Sequence, residues 1–201
     1  MDRTNQSQLG TLNHHCGCGT LNCPNRARLF NIWRKLWEQH VMWTRSLIIN
    51  KVDKLNDTDL VATRLLRNPH DMGYELSPYF KSSSIDLFVK LFEEHLLIAA
   101  KLVDAAIAGN SQLVEQLDHE WFRNADEIAQ LMYEFFPFEA KENWQGMMHE
   151  HLKLTKEEAV LRIQKKYAEH IAIYDTIETQ ALEMADMIAS GIVKSFFKSY
   201  A

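Results

Sequence analysis

The sequence predicts an all-α protein built as an antiparallel four-helix bundle, and two observations support this prediction. Apolar residues recur at spacings of three and four over several long stretches, which is the period of an amphipathic helix. The 201 residues include only seven glycines and four prolines, and the alternating pattern of strands flanked by turn residues does not occur. We therefore expect packed helices, with a short extra helix and a disordered N-terminal tail.

The composition is that of one globular domain that acts without nucleic acid. Hydrophobic residues make up 46% of the chain, and 22 basic and 27 acidic residues are interspersed to give a net charge of −5. Nucleic-acid binding would require a basic face. No apolar run reaches the roughly 20 residues of a membrane span, and the N-terminus lacks the apolar core of a signal peptide. The predicted location is the cytoplasm.

Residues 1–26 are predicted to be a flexible tail, and residues 27–201 the helical-bundle domain. The tail is polar, contains glycine and carries all three cysteines, Cys16, Cys18 and Cys23. The first two are spaced Cys-x-Cys, which differs from the Cys-x-x-Cys of zinc ribbons. Three alternatives stay open for these thiols: a soft-metal site, interchain disulfides within a homo-oligomer, or no role beyond a disordered tail.

The first long helix is predicted over residues 27–52. A short helix over residues 59–67 should follow a capping loop and end before Pro69, because proline disfavours helical geometry at the preceding residue. Residues 68–82 are then expected to form an ordered loop. The apolar face of the first helix comprises Phe30, Trp33, Trp37, His40, Val41, Thr44, Leu47 and Ile48.

The second and third long helices are predicted over residues 84–108 and 111–135. Three serines at 82–84 would cap the second helix, and Gly109 would end it in a left-handed conformation. Such a short connection makes the two helices antiparallel neighbours. Pro137 stops the third helix.

A fourth helix is predicted to begin near Glu139. Thr155 and Glu158 fit the capping-box pattern, so that a new helix starts there or a long helix bends. The final helix is expected to run over residues 156–197 and to be about 60 Å long at about 1.5 Å per residue.

Four histidines lie in similar sequence frames on the apolar faces of separate predicted helical segments. Each is preceded directly by Glu or Gln and followed by an aliphatic residue: His40, His95, His151 and His170. Neutral imidazole is the commonest protein ligand of transition metals, and a bundle interior brings facing side chains to one level. The frames therefore predict a shared metal site, in which His170 is the weakest member because Lys166 indicates a wetter stretch. The alternative is a set of hydrogen-bonded core histidines that arose by internal duplication.

Carboxylates are the second group of candidate ligands. Glu158 lies seven residues after His151 and would share its face on a continuous helix, and Glu178 and Glu127 border the apolar faces of their helices. Histidines with one or two carboxylates suit iron or manganese, with zinc possible. No phosphate-binding loop or nucleophile motif occurs, so the sequence predicts no particular reaction.

The frames around His40, His95 and His151, together with the run Asn124-Ala125-Asp126-Glu127-Ile128-Ala129, carry a resemblance. The chain resembles, over roughly residues 33–197, a family of uncharacterised helical-bundle proteins of spore-forming bacilli and clostridia. That family is similar in pattern to ferritin-like and hemerythrin-like bundles. The resemblance implies a non-haem metal site carried by the three histidines.

Three functions follow as hypotheses. The first is a metal-binding bundle for storage, sensing or oxidative chemistry. The second is a spore-associated structural protein whose N-terminal cysteines cross-link neighbouring chains. The third is a metal-dependent thiol transferase, which rests on an analogy of architecture.

Overall fold

A computed structural model describes residues 24–197 of the chain. The described part is helical and contains no strand: α1 (Pro24–Asp53), α2 (Thr58–Leu66), α3 (Asn68–Leu76), α4 (Ser82–Ile107), α5 (Ser111–Phe135), α6 (Lys141–Ile163) and α7 (Tyr167–Phe196). This confirms the all-α class. None of these helices is both long and apolar enough to cross a membrane. The three cysteines of the predicted tail lie outside the described residues, and α1 begins three residues earlier than the predicted domain.

The bounds of helices with a clear apolar face were predicted to within a few residues. The observed α1, α4 and α5 lie within three residues of the predicted bounds at each end. Gly109 has the predicted left-handed conformation, with φ of 69°. The next residue, Asn110, caps α5, because its side-chain oxygen accepts a hydrogen bond from the backbone N–H of Leu113.

The loop predicted over residues 68–82 is wrong for its first half, which forms α3. Pro69 lies in the first turn of that helix, where a missing backbone N–H costs no hydrogen bond. The proline therefore separates two short helices that follow each other directly. Both Asn68 and Pro69 are buried.

The predicted helix over residues 156–197 is also wrong, because the chain turns at residues 164–166. Lys165 adopts a left-handed conformation with φ of 59°, and α7 begins two residues later. Thr155 lies inside α6 and donates its hydroxyl to the carbonyl of His151, so it caps no helix. The 30 residues of α7 span about 45 Å, less than the predicted length.

The helices form three consecutive units, α1–α3, α4–α5 and α6–α7. Each unit begins with a long helix and ends with a helix that runs in the opposite direction. The first helices of the three units, α1, α4 and α6, contact one another. Residues at equivalent positions of the three helices lie side by side, so the helices run parallel. Antiparallel packing of α1 against α7 brings the last unit back to the first.

Buried residues recur along the chain at intervals of 55 or 56 residues, which relates the three units to one another. Within the first helices the equivalent buried residues are Trp33, Phe88 and Trp144, then Trp37, Phe92 and Met148. Within the last helices, α3, α5 and α7, they are Met72, Ile128 and Met184, then Leu76, Met132 and Ile188. The chain therefore contains an internal threefold repeat.

Gly191 in α7 gives a test of the packing between units. A Cβ atom at this position would lie 2.7 Å from a ring carbon of Phe136, which is itself completely buried. We expect Gly191→Ala to lower the free energy of unfolding by about 1–3 kcal/mol, because the ring has to shift in a packed core. Urea denaturation measures the change.

Gly146 provides the matched control, because it is exposed within α6 and an added Cβ would meet no atom within 4 Å. Gly146→Ala should raise the free energy of unfolding by about 0.5–1 kcal/mol through the better helix propensity of alanine. Equal effects of the two substitutions would contradict the described packing around Phe136.

Candidate functional site

Three of the four predicted histidines meet in the interior. His40 of α1, His95 of α4 and His151 of α6 are at most 3% exposed. The ring centroid of His151 lies 5.5 Å from that of His40 and 6.2 Å from that of His95. We call these residues the histidine triad. They occupy equivalent positions in the three units, so the repeat places them in one layer.

Each triad histidine contacts a side-chain amide of the last helix in its own unit. The Nδ1 atoms of His40, His95 and His151 lie 3.0, 3.0 and 3.2 Å from the amide oxygens of Asn68, Asn124 and Gln180. The three amide nitrogens donate in turn to the backbone carbonyls of Leu36, Leu91 and Met147. Each carbonyl lies one turn before the histidine of the same unit. The same hydrogen-bond network of histidine, amide and carbonyl therefore forms in each of the three units.

These networks determine which ring nitrogen of each triad histidine carries the hydrogen. The Asn124 amide nitrogen donates to a carbonyl 3.0 Å away, which can only accept, so the amide oxygen must face His95. That oxygen also only accepts, and Nδ1 of His95 therefore carries the hydrogen. In the neutral ring the other nitrogen, Nε2, then has a free lone pair. The same argument applies to His40 and His151.

Burial keeps all three rings neutral. Loss of solvation lowers the pKa of His40 to about 4 and that of His151 to about 3, against weaker opposing effects of their amide partners. The pKa of His95 is lowered well below its ordinary value by burial and then by the charges that His151 and His40 would carry. Neutral imidazole is the form that binds metal ions.

The amide partners were not predicted from the sequence, although a signal for them exists. Asn68, Asn124 and Gln180 follow one another at intervals of 56 residues, and the triad histidines at intervals of 55 and 56. A search for residues repeated at the spacing of the histidines would have found the amides. The loop prediction for residues 68–82 concealed the first of them.

Aromatic side chains surround the triad. The ring of Trp37 lies 5.2 Å from His40 and 5.9 Å from His151, and that of Trp121 lies 5.2 Å from His95, all measured between centroids. The indole nitrogens of both tryptophans are buried without a hydrogen-bond partner in the described part of the chain. The triad is therefore enclosed by apolar surface with few competing polar groups.

The predicted carboxylates make no hydrogen bond or ion pair with the triad within residues 24–197. Glu127 is exposed on α5, 3.9 Å from Arg123. Glu178 is half-buried on α7, where its charge contributes, after burial, to raising the pKa of Tyr174. Glu158 is buried on α6 but is bound elsewhere.

His170 lies in a separate polar cluster with Arg45 and Glu158, which we call the Arg45 cluster. The Arg45 guanidinium donates from Nη1 to Glu158 Oε1 at 2.5 Å and to the His170 carbonyl at 2.8 Å, and from Nη2 to His170 Nδ1 at 3.1 Å. His170 itself is 1% exposed, but residues 164–169 before it are exposed, as the predicted wetter stretch indicated. Burial raises the pKa of Glu158 to about 7, although the arginine opposes the shift.

The Arg45 cluster interrupts the internal repeat. The residues equivalent to Glu158 in the other units are Leu47 and Leu102, both buried. The residue of the second unit equivalent to His170 is Val114, and the one equivalent to Arg45 is Ala100. A buried charge pair therefore replaces the apolar residues of the second unit, whereas the residue of the third unit equivalent to Arg45 is Lys156, which pairs with Asp118.

Among the described residues no group of three or more histidine, cysteine, aspartate and glutamate side chains is already arranged to hold a metal ion. With bonds of about 2.0–2.1 Å, three imidazoles on one ion have ring centroids roughly 5 Å apart. The His40–His151 separation of 5.5 Å is near this distance, and the His95–His151 separation of 6.2 Å is longer. For these two pairs of rings, a shared ion would shorten the separation by up to about 1 Å.

The helices and the triad thus define an all-helical protein of three repeated units around three buried, neutral histidines. Comparison of the chain with models of known protein families, with curated proteins and with solved structures found no match.

Proposed function

We propose that the histidine triad binds one divalent transition-metal ion through the Nε2 atoms of His40, His95 and His151. The observation that supports this proposal is the hydrogen-bond network repeated in all three units. Metal-binding histidines almost always donate their other ring N–H to an oxygen, which fixes the tautomer and the ring orientation. The amide oxygens of Asn68, Asn124 and Gln180 have this role here.

A purely structural role explains the network less well. The hydrogen bonds that the triad rings make within residues 24–197 all use Nδ1, so three Nε2 lone pairs receive no donor from this part of the chain. One metal ion satisfies all three lone pairs at once, and neutral rings need lose no proton to bind it.

Among the metals predicted from the sequence, the donor set favours iron(II) and zinc over manganese. Imidazole suits zinc, copper, iron and nickel, whereas manganese prefers carboxylate and carbonyl oxygens. Manganese was expected from the sequence on the assumption that Glu127, Glu158 or Glu178 joins the site. With three protein ligands the ion would keep open coordination positions and would supply a Lewis acid or a redox centre there. The proposal does not require the predicted ferritin-like or hemerythrin-like four-helix bundle, because the three ligands come from α1, α4 and α6 of three repeated units.

Metal titration of the full chain tests this proposal. The protein should carry serine at Cys16, Cys18 and Cys23, so that tail thiols do not contribute. Competition with a chromophoric chelator should give one equivalent of bound zinc or iron(II). We expect His95→Ala to weaken binding at least 100-fold, and Asn124→Ala to weaken it about 10–100-fold, as loss of such hydrogen-bond partners does.

His70→Ala is the matched control, because His70 is exposed and contacts Glu93 on the surface. It should bind metal as the parent protein does. Circular dichroism spectra that match the parent show that each variant is folded. The proposal is wrong if the folded parent binds no metal, or if His95→Ala binds it as tightly as the parent.

A further inference from the structure

The two sides of the histidine triad differ in packing. Toward the N-terminal ends of α1, α4 and α6 the interior is filled by two layers of large side chains, with Trp33, Phe88 and Trp144 in the outer layer. Toward the C-terminal ends a small cavity lies between the same helices. The wall of this cavity next to the triad includes Thr44, Ala99 and Thr155, each one turn after a triad histidine.

The cavity exists because the residues around it are small or turned away. Ala159 lines it at a position where the other units carry Ile48 and Val103. The Glu158 side chain, equivalent to the lining residues Leu47 and Leu102, is bound to Arg45. The departures from the repeat therefore create space on one side of the triad.

The cavity is suited to an apolar occupant. The volume open to the centre of a water-sized sphere is about 30 Å³, and one water needs about 10–15 Å³ by this measure together with two to four polar partners. The hydroxyls of Thr44 and Thr155 already donate to the carbonyls of His40 and His151, each at 2.8 Å. The remaining lining is mostly aliphatic, apart from Trp121 and two lysines. The space fits an uncharged molecule of two or three heavy atoms.

Two lysines connect the cavity with the protein surface. Lys51 and Lys156 line it with their alkyl chains, while their ammonium groups bind Asp104 at 2.8 Å and Asp118 at 2.7 Å. Side-chain motion at these ion pairs would open a path from solvent, because ion pairs at a protein surface are weak. A charged solute would find no free group of opposite charge inside the cavity.

We propose that this cavity binds a small, uncharged apolar molecule, a diatomic gas such as dioxygen, and holds it one helical turn from the histidine triad. Binding in the cavity stands on its geometry alone. Its purpose, delivery of the gas to the triad, rests on the proposed metal function.

Xenon is the probe, because it occupies dry apolar cavities and needs no metal. Crystals of the metal-free full chain under xenon pressure should show an anomalous peak bordered by Thr44, Ala99 and Thr155. We expect the xenon occupancy to fall at least fivefold in Ala159→Ile, which places in the cavity the residue of the first unit. Ala172→Ile, at an exposed position of α7, is the control and should keep the parent's occupancy.

Ala99→Val fills the same space from α4 and serves as a second variant if Ala159→Ile fails to fold. The proposal is overturned if the parent shows no xenon in this cavity, or if a folded filling variant keeps the parent's occupancy. Metal titration of the same variants separates the two proposals. Filled variants should bind metal as the parent does, and a parent that binds xenon but no metal would refute only the metal function and the delivery role.

Discussion

Acid should unfold the metal-free protein steeply between pH 6.5 and pH 4. The pKa values of His40, His151 and His170 are lowered to about 4, 3 and 4, chiefly by burial, and that of His95 is also far below its ordinary value. In the unfolded chain these rings take up protons near pH 6.5, while the folded protein excludes them. These four histidines therefore cost no stability well above pH 6.5, and they lower the free energy of unfolding as the pH falls below it.

Glu158 acts in the opposite direction. Its pKa is raised to about 7 from 4.5, so the folded protein holds a proton that the unfolded chain releases between these values. Glu158 alone therefore stabilises the folded protein as the pH falls through 7, whereas the four histidines destabilise it. The net difference of about three protons corresponds to roughly 4 kcal/mol per pH unit. Two such units remove about 8 kcal/mol, which exceeds the stability of a domain at the lower end of the usual range of about 5–15 kcal/mol.

Urea denaturation at pH 7.5, 6.5, 5.5 and 4.5 measures this dependence. Glu158→Gln removes the opposing group and should steepen the loss by about 1.4 kcal/mol per pH unit between pH 6.5 and 4.5. A free energy of unfolding that is constant or rises toward pH 4.5 would contradict the neutral, buried histidines.

The Arg45 cluster is expected to give the second large effect. Arg45→Ala leaves the Glu158 carboxylate buried without its partner, and breaking a buried pair in this way costs about 3–5 kcal/mol. The loss should be largest at pH 8, because a protonated Glu158 needs no counter-charge. Urea denaturation of the variant at pH 8 and pH 6 measures both quantities.

Replacing the whole cluster should have a far smaller effect. The triple variant Arg45→Ala, Glu158→Leu and His170→Val installs the apolar residues of the second unit, Ala100, Leu102 and Val114. Buried ion pairs exchanged for packed apolar groups are often neutral or stabilising by about 1–4 kcal/mol. A triple variant less stable than Arg45→Ala alone would show that the cluster holds the three helices together by more than its charges.

Helical periodicity predicted that the three triad histidines lie on apolar helix faces, but the same pattern also selected His170, which lies in the Arg45 cluster. The spacing of apolar residues in α1 and α4 placed His40 and His95 on the apolar face of each helix, and this required no knowledge of the packing. Two positions that depend on backbone context were missed. Pro69 permits a helix that begins beside it as well as one that ends there, and Lys165 turns left-handed without a glycine to signal it.

The ligand environment could not be predicted in the same way, because it depends on contacts between helices. Each triad histidine meets its amide 28 or 29 residues later in the chain. Glu158 does lie on the inner side of α6, as the periodicity indicated, but its partner Arg45 is 113 residues distant. Which buried group binds a carboxylate is decided by the packing of α1 against α6.

X-ray absorption spectroscopy tests the central claim most directly. The full chain with serine at Cys16, Cys18 and Cys23, loaded with one equivalent of zinc or iron(II), should show three imidazole ligands, with zinc–nitrogen bonds of about 2.0–2.1 Å. His95→Ala should retain at most two imidazoles in the spectrum. Coordination without imidazole, or a spectrum unchanged by His95→Ala, would contradict a metal site at the histidine triad.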